Sequence, residues 1–64
     1  MKIFIERTKE EKNFFFKGKA IELLNKLNLN SEEVILIKNN EIVTEDEMLN
    51  DEDDIKILSV ISGG

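Results

Sequence analysis

Only one stretch of this chain has the periodicity of an amphipathic helix, and strand-like segments lie on both sides of it. Within residues 19–28 the apolar side chains recur at i, i+3, i+4 and i+7, on a face formed by Ala20, Leu23, Leu24 and Leu27. A single helix cannot cover both faces of a sheet, so it is expected to lie across one face. This restricts the chain to a small α+β fold.

The two ends of this helix are signalled unequally. Asn28 is suited to the left-handed conformation that ends a helix, with Leu29 folding back onto the last turn. The first turn must begin near Lys17 or Gly18, where no Ser, Thr, Asp or Asn is available as an N-cap.

The segments outside the helix alternate with a period of two or are rich in β-branched residues, as strands are. The predicted strands are Lys2–Glu6, Glu11–Phe16, Val34–Ile37, Ile42–Val43 and Ile55–Val60. A tight turn is expected at Asn39-Asn40, because Asn tolerates positive φ, and a helical turn or loop at Thr44–Asn50. The predicted core consists of the helical stripe together with Ile3, Ile5, Phe14 and Phe16.

The order of these elements predicts a mixed sheet of four to five strands with one main helix packed on one face. The first and last strands can pair in parallel at its centre, with the helix in a right-handed crossover. This is the β-grasp arrangement. We expect one such domain over residues 1–61 and a flexible tail over residues 62–64.

The composition limits the chemistry that the chain can perform. It has 64 residues, 14 acidic and 9 basic side chains, a formal net charge of −5, and neither cysteine nor histidine. The usual nucleophiles, proton shuttles and zinc or iron ligands are therefore missing. A chain this short also has little room for a substrate cleft beside its core. We expect a protein that is not an enzyme and binds no metal or cofactor of its own.

The same acidic surface restricts the partners. It repels nucleic-acid phosphates and anionic lipids, and it attracts a protein with a basic face. No segment resembles a signal peptide or a membrane span. The expected protein is cytoplasmic and monomeric when free.

Four segments, taken in order, form a combination typical of one family. They are Ala20–Leu29 in the helix, Lys38–Val43 in a hairpin, Leu49–Ile55 in a turn and Ser62-Gly63-Gly64 at the end. Together they resemble the ThiS/MoaD-type sulfur carriers, which share the β-grasp fold with ubiquitin. The opening segment Met1–Ile5 also resembles the first strand of ubiquitin.

Three residues depart from the family pattern. Asn40 and Glu52 stand where the family has glycine, and Lys19 stands where it often has a threonine cap. Asn40 still permits positive φ, whereas Glu52 does so less easily, so the turn at Glu52 is expected to differ in geometry.

The resemblance gives the chain end a function. Two adjacent glycines at a given place arise by chance roughly once in 200, and they have no side chains to obstruct a narrow pocket. The resemblance implies that Gly64 supplies a carboxylate, with Gly63, Ser62 and Ile61 as the tail that reaches a partner's active site. That partner would be a ubiquitin-activating-type enzyme, which uses ATP and Mg²⁺ to adenylate the carboxylate.

Delivery of sulfur would then produce a thiocarboxylate. The sulfur would pass from a sulfur donor to a synthase that makes the thiamine thiazole or molybdopterin, or to a tRNA-thiolating enzyme. Two alternatives stay open: a ubiquitin-like modifier that is conjugated to lysines, and a β-grasp module that binds partners without covalent chemistry.

A partner surface is predicted near the root of the tail. If Ile55 and Ile57 face the helix, the alternation places Leu58 and Val60 on the opposite side of the sheet. Phe4 on the adjacent strand points the same way. Such an apolar patch commonly marks a binding site. The alternative is that these are isolated surface hydrophobic residues without a role.

Overall fold

The computed structural model describes residues 1–60, and residues 61–64 lie outside the described part. The strands are β1 (Lys2–Ile5), β2 (Glu10–Asn13), β3 (Gly18–Lys19), β4 (Val34–Lys38), β5 (Glu41–Val43), β6 (Met48–Leu49) and β7 (Asp54–Ser59). One α-helix, α1 (Ala20–Lys26), follows β3, and a short 3₁₀ helix covers Ser31–Glu33.

Five of the strands form one mixed sheet in the order β2-β1-β7-β4-β5. The pairing of β1 with β7 is parallel, with Ile3 opposite Ile55 and Ile5 opposite Ile57. The pairings of β2 with β1, of β4 with β7 and of β5 with β4 are antiparallel. The predicted β-grasp fold is confirmed, including its parallel pairing of the first and last long strands.

Helix α1 ends as its sequence predicts. Asn28 has a φ of 61°. The N–H of Leu29 donates to the carbonyl of Leu24 at 2.8 Å, and that of Asn28 donates to the carbonyl of Asn25 at 3.1 Å. These two bonds form a Schellman motif, which satisfies the last carbonyls of the helix.

The start of α1 is stabilised without a conventional N-cap side chain. The backbone N–H of Lys19 donates to Oε2 of Glu22 at 2.9 Å. The N–H groups of the first two helical residues, beginning with Ala20, donate to the carbonyls of Glu47 and Glu45 at 2.9 Å each. A neighbouring loop thus supplies acceptors for N–H groups that would otherwise lack partners.

The second strand is shorter than predicted. It ends at Asn13 instead of Phe16, because its partner β1 begins at Lys2. The Phe14 N–H still donates to the Met1 carbonyl at 3.2 Å, but the Phe16 N–H turns to the carboxylate of Asp51 at 3.1 Å. Phe14 and Phe16 pack against the core as half-buried residues, so their predicted contribution to it is confirmed.

The prediction of a helical turn or loop over Thr44–Asn50 is wrong at its end. Met48–Leu49 forms β6, which pairs with β3 in a separate two-stranded sheet. Leu49 is fully buried there and belongs to the core. The rest of this buried cluster consists of Met1, Leu36 and residues of β1, α1 and β7.

Two turns lie at the end of the sheet where β7 begins. The predicted turn at Asn39-Asn40 is confirmed, with φ of 50° and 71°. At the other turn, the Asp53 N–H donates to the Asn50 carbonyl at 2.9 Å. Glu52 is not among the residues of positive φ in the described part of the chain. This turn therefore has a geometry that needs no glycine.

The carboxylate of Asp53 joins these two turns. It accepts hydrogen bonds from the Asn50 N–H at 2.8 Å and from the Asn39 side chain at 3.0 Å. Lys38 Nζ lies 3.9 Å away. The Asn50 hydrogen bond, then the Asn39 hydrogen bond and the Lys38 charge, lower the pKa of Asp53 below its ordinary value of 3.8 in spite of its burial.

This lowered pKa predicts a pH-dependent contribution to stability. A carboxylate with a depressed folded-state pKa stabilises the fold above its ordinary pKa and loses that effect as the pH falls through the folded-state value. We expect Asp53→Asn to lower the free energy of unfolding at pH 7 by about 1–2 kcal/mol. Urea unfolding at a series of pH values should show the difference from the wild type shrinking below about pH 4.

The neighbouring Glu52 provides the control. None of the described hydrogen bonds or ion pairs involves its side chain. Glu52→Gln should therefore leave the unfolding free energy nearly unchanged across the same pH series. A difference for Asp53→Asn that stays constant down to strongly acidic pH would contradict the role of the ionised carboxylate.

Candidate docking face and tail root

The five-stranded sheet has a buried face against α1 and an opposite surface, here called the outer face. Along β7 the buried residues Ile55 and Ile57 alternate with more exposed residues that point to the outer face. Six apolar residues of the described chain lie on the outer face. Four of them are on β1, β4 and β5, and two are at the end of β7 or just after it. They are Phe4, Ile35, Ile37, Ile42, Leu58 and Val60.

Strand register determines which of these side chains are neighbours. Leu58 lies opposite Ile35, and Ile37 lies opposite Ile42. Phe4 is aligned with Lys56 and is therefore a diagonal neighbour of Leu58. The outer face thus has a continuous apolar area on β4, β5 and the end of β7, and Phe4 lies beyond Lys56.

The predicted patch residues Phe4, Leu58 and Val60 do share this face. Phe4 and Leu58 are half-buried, whereas Val60 is 46% exposed. Their role in binding a partner stays a prediction, because placement on one surface does not by itself identify what binds there.

Three residues of the outer face were missed by the sequence analysis. Ile35 and Ile37 lie in an apolar run that predicts a strand buried on both sides, yet the helix covers only the side of Leu36. Ile42 is 76% exposed on the edge strand β5. The signal that could have found them is the presence of a single helix, which leaves the second side of every strand uncovered.

The root of the tail lies at the end of β7. The Val60 N–H donates to the carbonyl of Glu33 at 3.0 Å, so the pairing with the segment before β4 continues through the last described residue. The predicted reactive tail, Ile61-Ser62-Gly63-Gly64, lies outside the described residues. The outer-face residue Val60 is thus adjacent in sequence to the tail.

The opposite end of the sheet has a different electrostatic character. Oδ1 of Asp51 accepts hydrogen bonds from the Met1 ammonium group at 2.6 Å and from the Phe16 N–H at 3.1 Å. The ammonium hydrogen bond, followed by that of Phe16, lowers the pKa of Asp51. These contacts connect β1, the segment after β2 and the turn before β7. Asp51 therefore has a structural explanation that requires no ligand.

The expectation that such a small fold has little room for a cleft is too strict. An open groove of about 420 Å³ lies beside Ser59, between the β1–β2 loop and the segment after α1. Its floor is apolar, with Ile5 and Ile57, and its ionisable lining residues are Arg7 and Glu33.

Within residues 1–60 there is no group of three or more acidic or other ligating side chains arranged to hold a metal ion. No helix in this part of the chain has the length and apolar character needed to cross a membrane.

Two comparisons with known proteins bear on the site. The chain matches the ThiS family over residues 5–64, which includes the diglycine end and every apolar outer-face residue except Phe4. It is also similar to the sulfur carrier protein TtuB of Thermus thermophilus. The two sequences are 37% identical over 60 residues, which cover 91% of this chain and 92% of the relative.

Proposed function

This chain belongs to the ThiS family, and we propose that it is a sulfur carrier whose reactive group is the carboxylate of Gly64. The observation that supports this most directly is a family match that extends through the diglycine end. The name of the similar Thermus protein supports the same role. Members of this family are small carriers and not catalysts, so the prediction that the chain is not an enzyme is confirmed.

The proposed chemistry begins with activation of the Gly64 carboxylate. A carboxylate is a poor electrophile, so a partner enzyme of the ubiquitin-activating type first transfers AMP to it from ATP and releases pyrophosphate. ATP and Mg²⁺ belong to that enzyme and not to this chain. A hydrosulfide equivalent from a sulfur donor then displaces AMP, which leaves a thiocarboxylate on Gly64.

Each part of the chain has a separate task in this proposal. The tail residues Ile61, Ser62 and Gly63 carry the carboxylate into the partner's pocket, where the glycines allow backbone conformations closed to other residues. The outer face holds the domain against the partner outside that pocket. The acceptor of the sulfur would be a synthase for the thiamine thiazole or molybdopterin, or a tRNA-thiolating enzyme.

The docking role of the outer face leads to a direct prediction. Leu58→Asp places a charge in the apolar area next to the tail root, where docking would bury it at high cost. We expect at least a tenfold increase in the KM of the activating enzyme for the carrier, with kcat little changed, because Leu58 does not touch the reacting carboxylate. The measurement is ATP–pyrophosphate exchange at a series of carrier concentrations.

Met48→Asp is the matched control. Met48 is also an exposed apolar residue, at 52%, but it lies on β6 outside the five-stranded sheet. Val60→Asp provides a second variant on the outer face at a site that is more exposed than Leu58. Equal KM values for all of these proteins, with urea unfolding showing that each is folded, would refute docking through the outer face.

A further inference from the structure

Lys56 occupies the centre of the outer face. It lies on β7, the middle strand of the five, and is exposed. Phe4 is aligned with it on one side, and Ile37 lies opposite it on the other. A partner that covers the apolar residues on both sides must therefore also cover Lys56.

The ammonium group of Lys56 has no ionic partner among the described residues. The cations of the ion pairs found in residues 1–60 are the Met1 ammonium group and the side chains of Lys2, Lys9, Lys12 and Lys38. The carboxylate next to Phe4 on β2, that of Glu11, lies 3.9 Å from Nζ of Lys2. Lys56 is thus a cation on the outer face of an otherwise acidic protein, with apolar neighbours on both adjacent strands.

Burying such a group beneath an apolar surface is costly. An ammonium group that loses water without gaining a partner strongly destabilises the complex. A carboxylate placed against it removes this cost and makes the contact selective, because partners without the acidic group are disfavoured. The other solution would be for the lysine to extend its aliphatic stem and place its charge at the rim of the interface.

We propose that the protein that docks on the outer face presents a carboxylate to Lys56, between the apolar residues Phe4 on β1 and Ile37 on β4. The central position of Lys56 favours pairing with a carboxylate over a lysine side chain that reaches the rim of the interface. On each side of β7, two strands separate Lys56 from the edge of the sheet. The inference rests on the proposed function, in which the partner is the activating enzyme. The net charge of −5 on this chain favours a partner with basic groups around the contact. The partner's carboxylate opposite Lys56 would then be an acidic group surrounded by basic ones.

The test measures binding and activation separately. Isothermal titration calorimetry of the full chain with the purified activating enzyme, without ATP, reports docking, and ATP–pyrophosphate exchange reports activation. We expect Lys56→Met to raise the Kd at least tenfold and Lys56→Glu to raise it further, with kcat for exchange unchanged at saturation. Lys17→Met and Lys17→Glu are controls at an exposed lysine between β2 and β3, and they should leave the Kd within twofold.

A charge exchange identifies the group on the partner. Restored binding of Lys56→Glu to an enzyme variant in which one interface Asp or Glu is replaced by Lys would establish the pair. Unchanged or tighter binding of Lys56→Met would overturn the proposal, because it would mean that the charge is not buried against an acidic group. A urea unfolding curve for each variant separates these results from loss of the fold.

The two assays also separate this inference from the proposed function. Binding that depends on Lys56 without any exchange would refute activation of Gly64 and support the pairing. Exchange with binding that is insensitive to Lys56 would refute the pairing alone. Absence of any binding by the wild-type chain would overturn the pairing, while the exchange assay would still report on Gly64.

Discussion

Leu24→Ala is expected to lower the free energy of unfolding by about 2–5 kcal/mol. Leu24 is fully buried on the face of α1 that covers the sheet, and its truncation removes apolar contacts and leaves a cavity. Domains of this kind are stable by only about 5–15 kcal/mol, and small ones lie near the lower limit. The variant should therefore unfold at a much lower urea concentration, and part of the population should be unfolded even without denaturant.

The adjacent residue provides the control for this experiment. Asn25 is exposed on the same helix, and its carbonyl, not its side chain, takes part in the C-terminal Schellman motif. Asn25→Ala should change the unfolding free energy by less than about 0.5 kcal/mol, or stabilise the helix slightly. A loss of similar size for both variants, or an undetectable loss for Leu24→Ala, would contradict the assignment of the buried face.

The parts of the fold that the sequence predicts are those determined by local patterns. The stripe that contains Leu23 and Leu24 has the helical period, and both residues are fully buried. Asn28 tolerates positive φ, and it ends the helix in that conformation. Alternation along β7 correctly separates the buried Ile55 and Ile57 from the outer face. In each case the chain signals its structure within a few residues.

The parts that were missed depend on distant partners. Leu49 is buried because β6 pairs with β3, which lies on the other side of α1 in the sequence, as the register of Leu49 with Gly18 shows. A two-residue strand has too few residues to show a period. The early end of β2 at Asn13 likewise reflects where β1 begins, and not the strand propensity of the phenylalanines that follow.

The candidate site was predicted only in part for the same reason. Phe4, Leu58 and Val60 could be assigned to one face by alternation alone. The single helix could have assigned Ile35 and Ile37 to the uncovered side, but their place beside Leu58 and Lys56 depends on the order of the strands, which puts β4 next to β7. The sequence predicts a central position for the last strand, but the contact of Lys56 with Ile37 on β4 emerges only from that order. The charge of the residue is visible in the sequence, but its apolar surroundings are not.

Adding one alanine after Gly64 is expected to abolish sulfur loading, with the fold unaffected. The added residue moves the carboxylate one position further along the chain, so the group that must be adenylated no longer lies at the distance that the proposed docking of the outer face would set. Gly64→Ala is the control that keeps the chain length. Because it adds only a methyl group next to the carboxylate, we expect it to slow loading without eliminating it.

The measurement is the intact mass of each protein after incubation with the activating enzyme, ATP, Mg²⁺ and a sulfur donor, with and without a thiol-alkylating reagent. Because the chain contains no cysteine, alkylation has no side-chain thiol to modify. A sulfur-for-oxygen mass gain that is also alkylated therefore locates a thiocarboxylate at Gly64, whereas oxidation of Met1 or Met48 adds a similar mass without a thiol. Loading that persists in the extended chain would refute the carboxylate of Gly64 as the site. An unloaded wild-type chain found attached to lysines would instead favour a protein modifier.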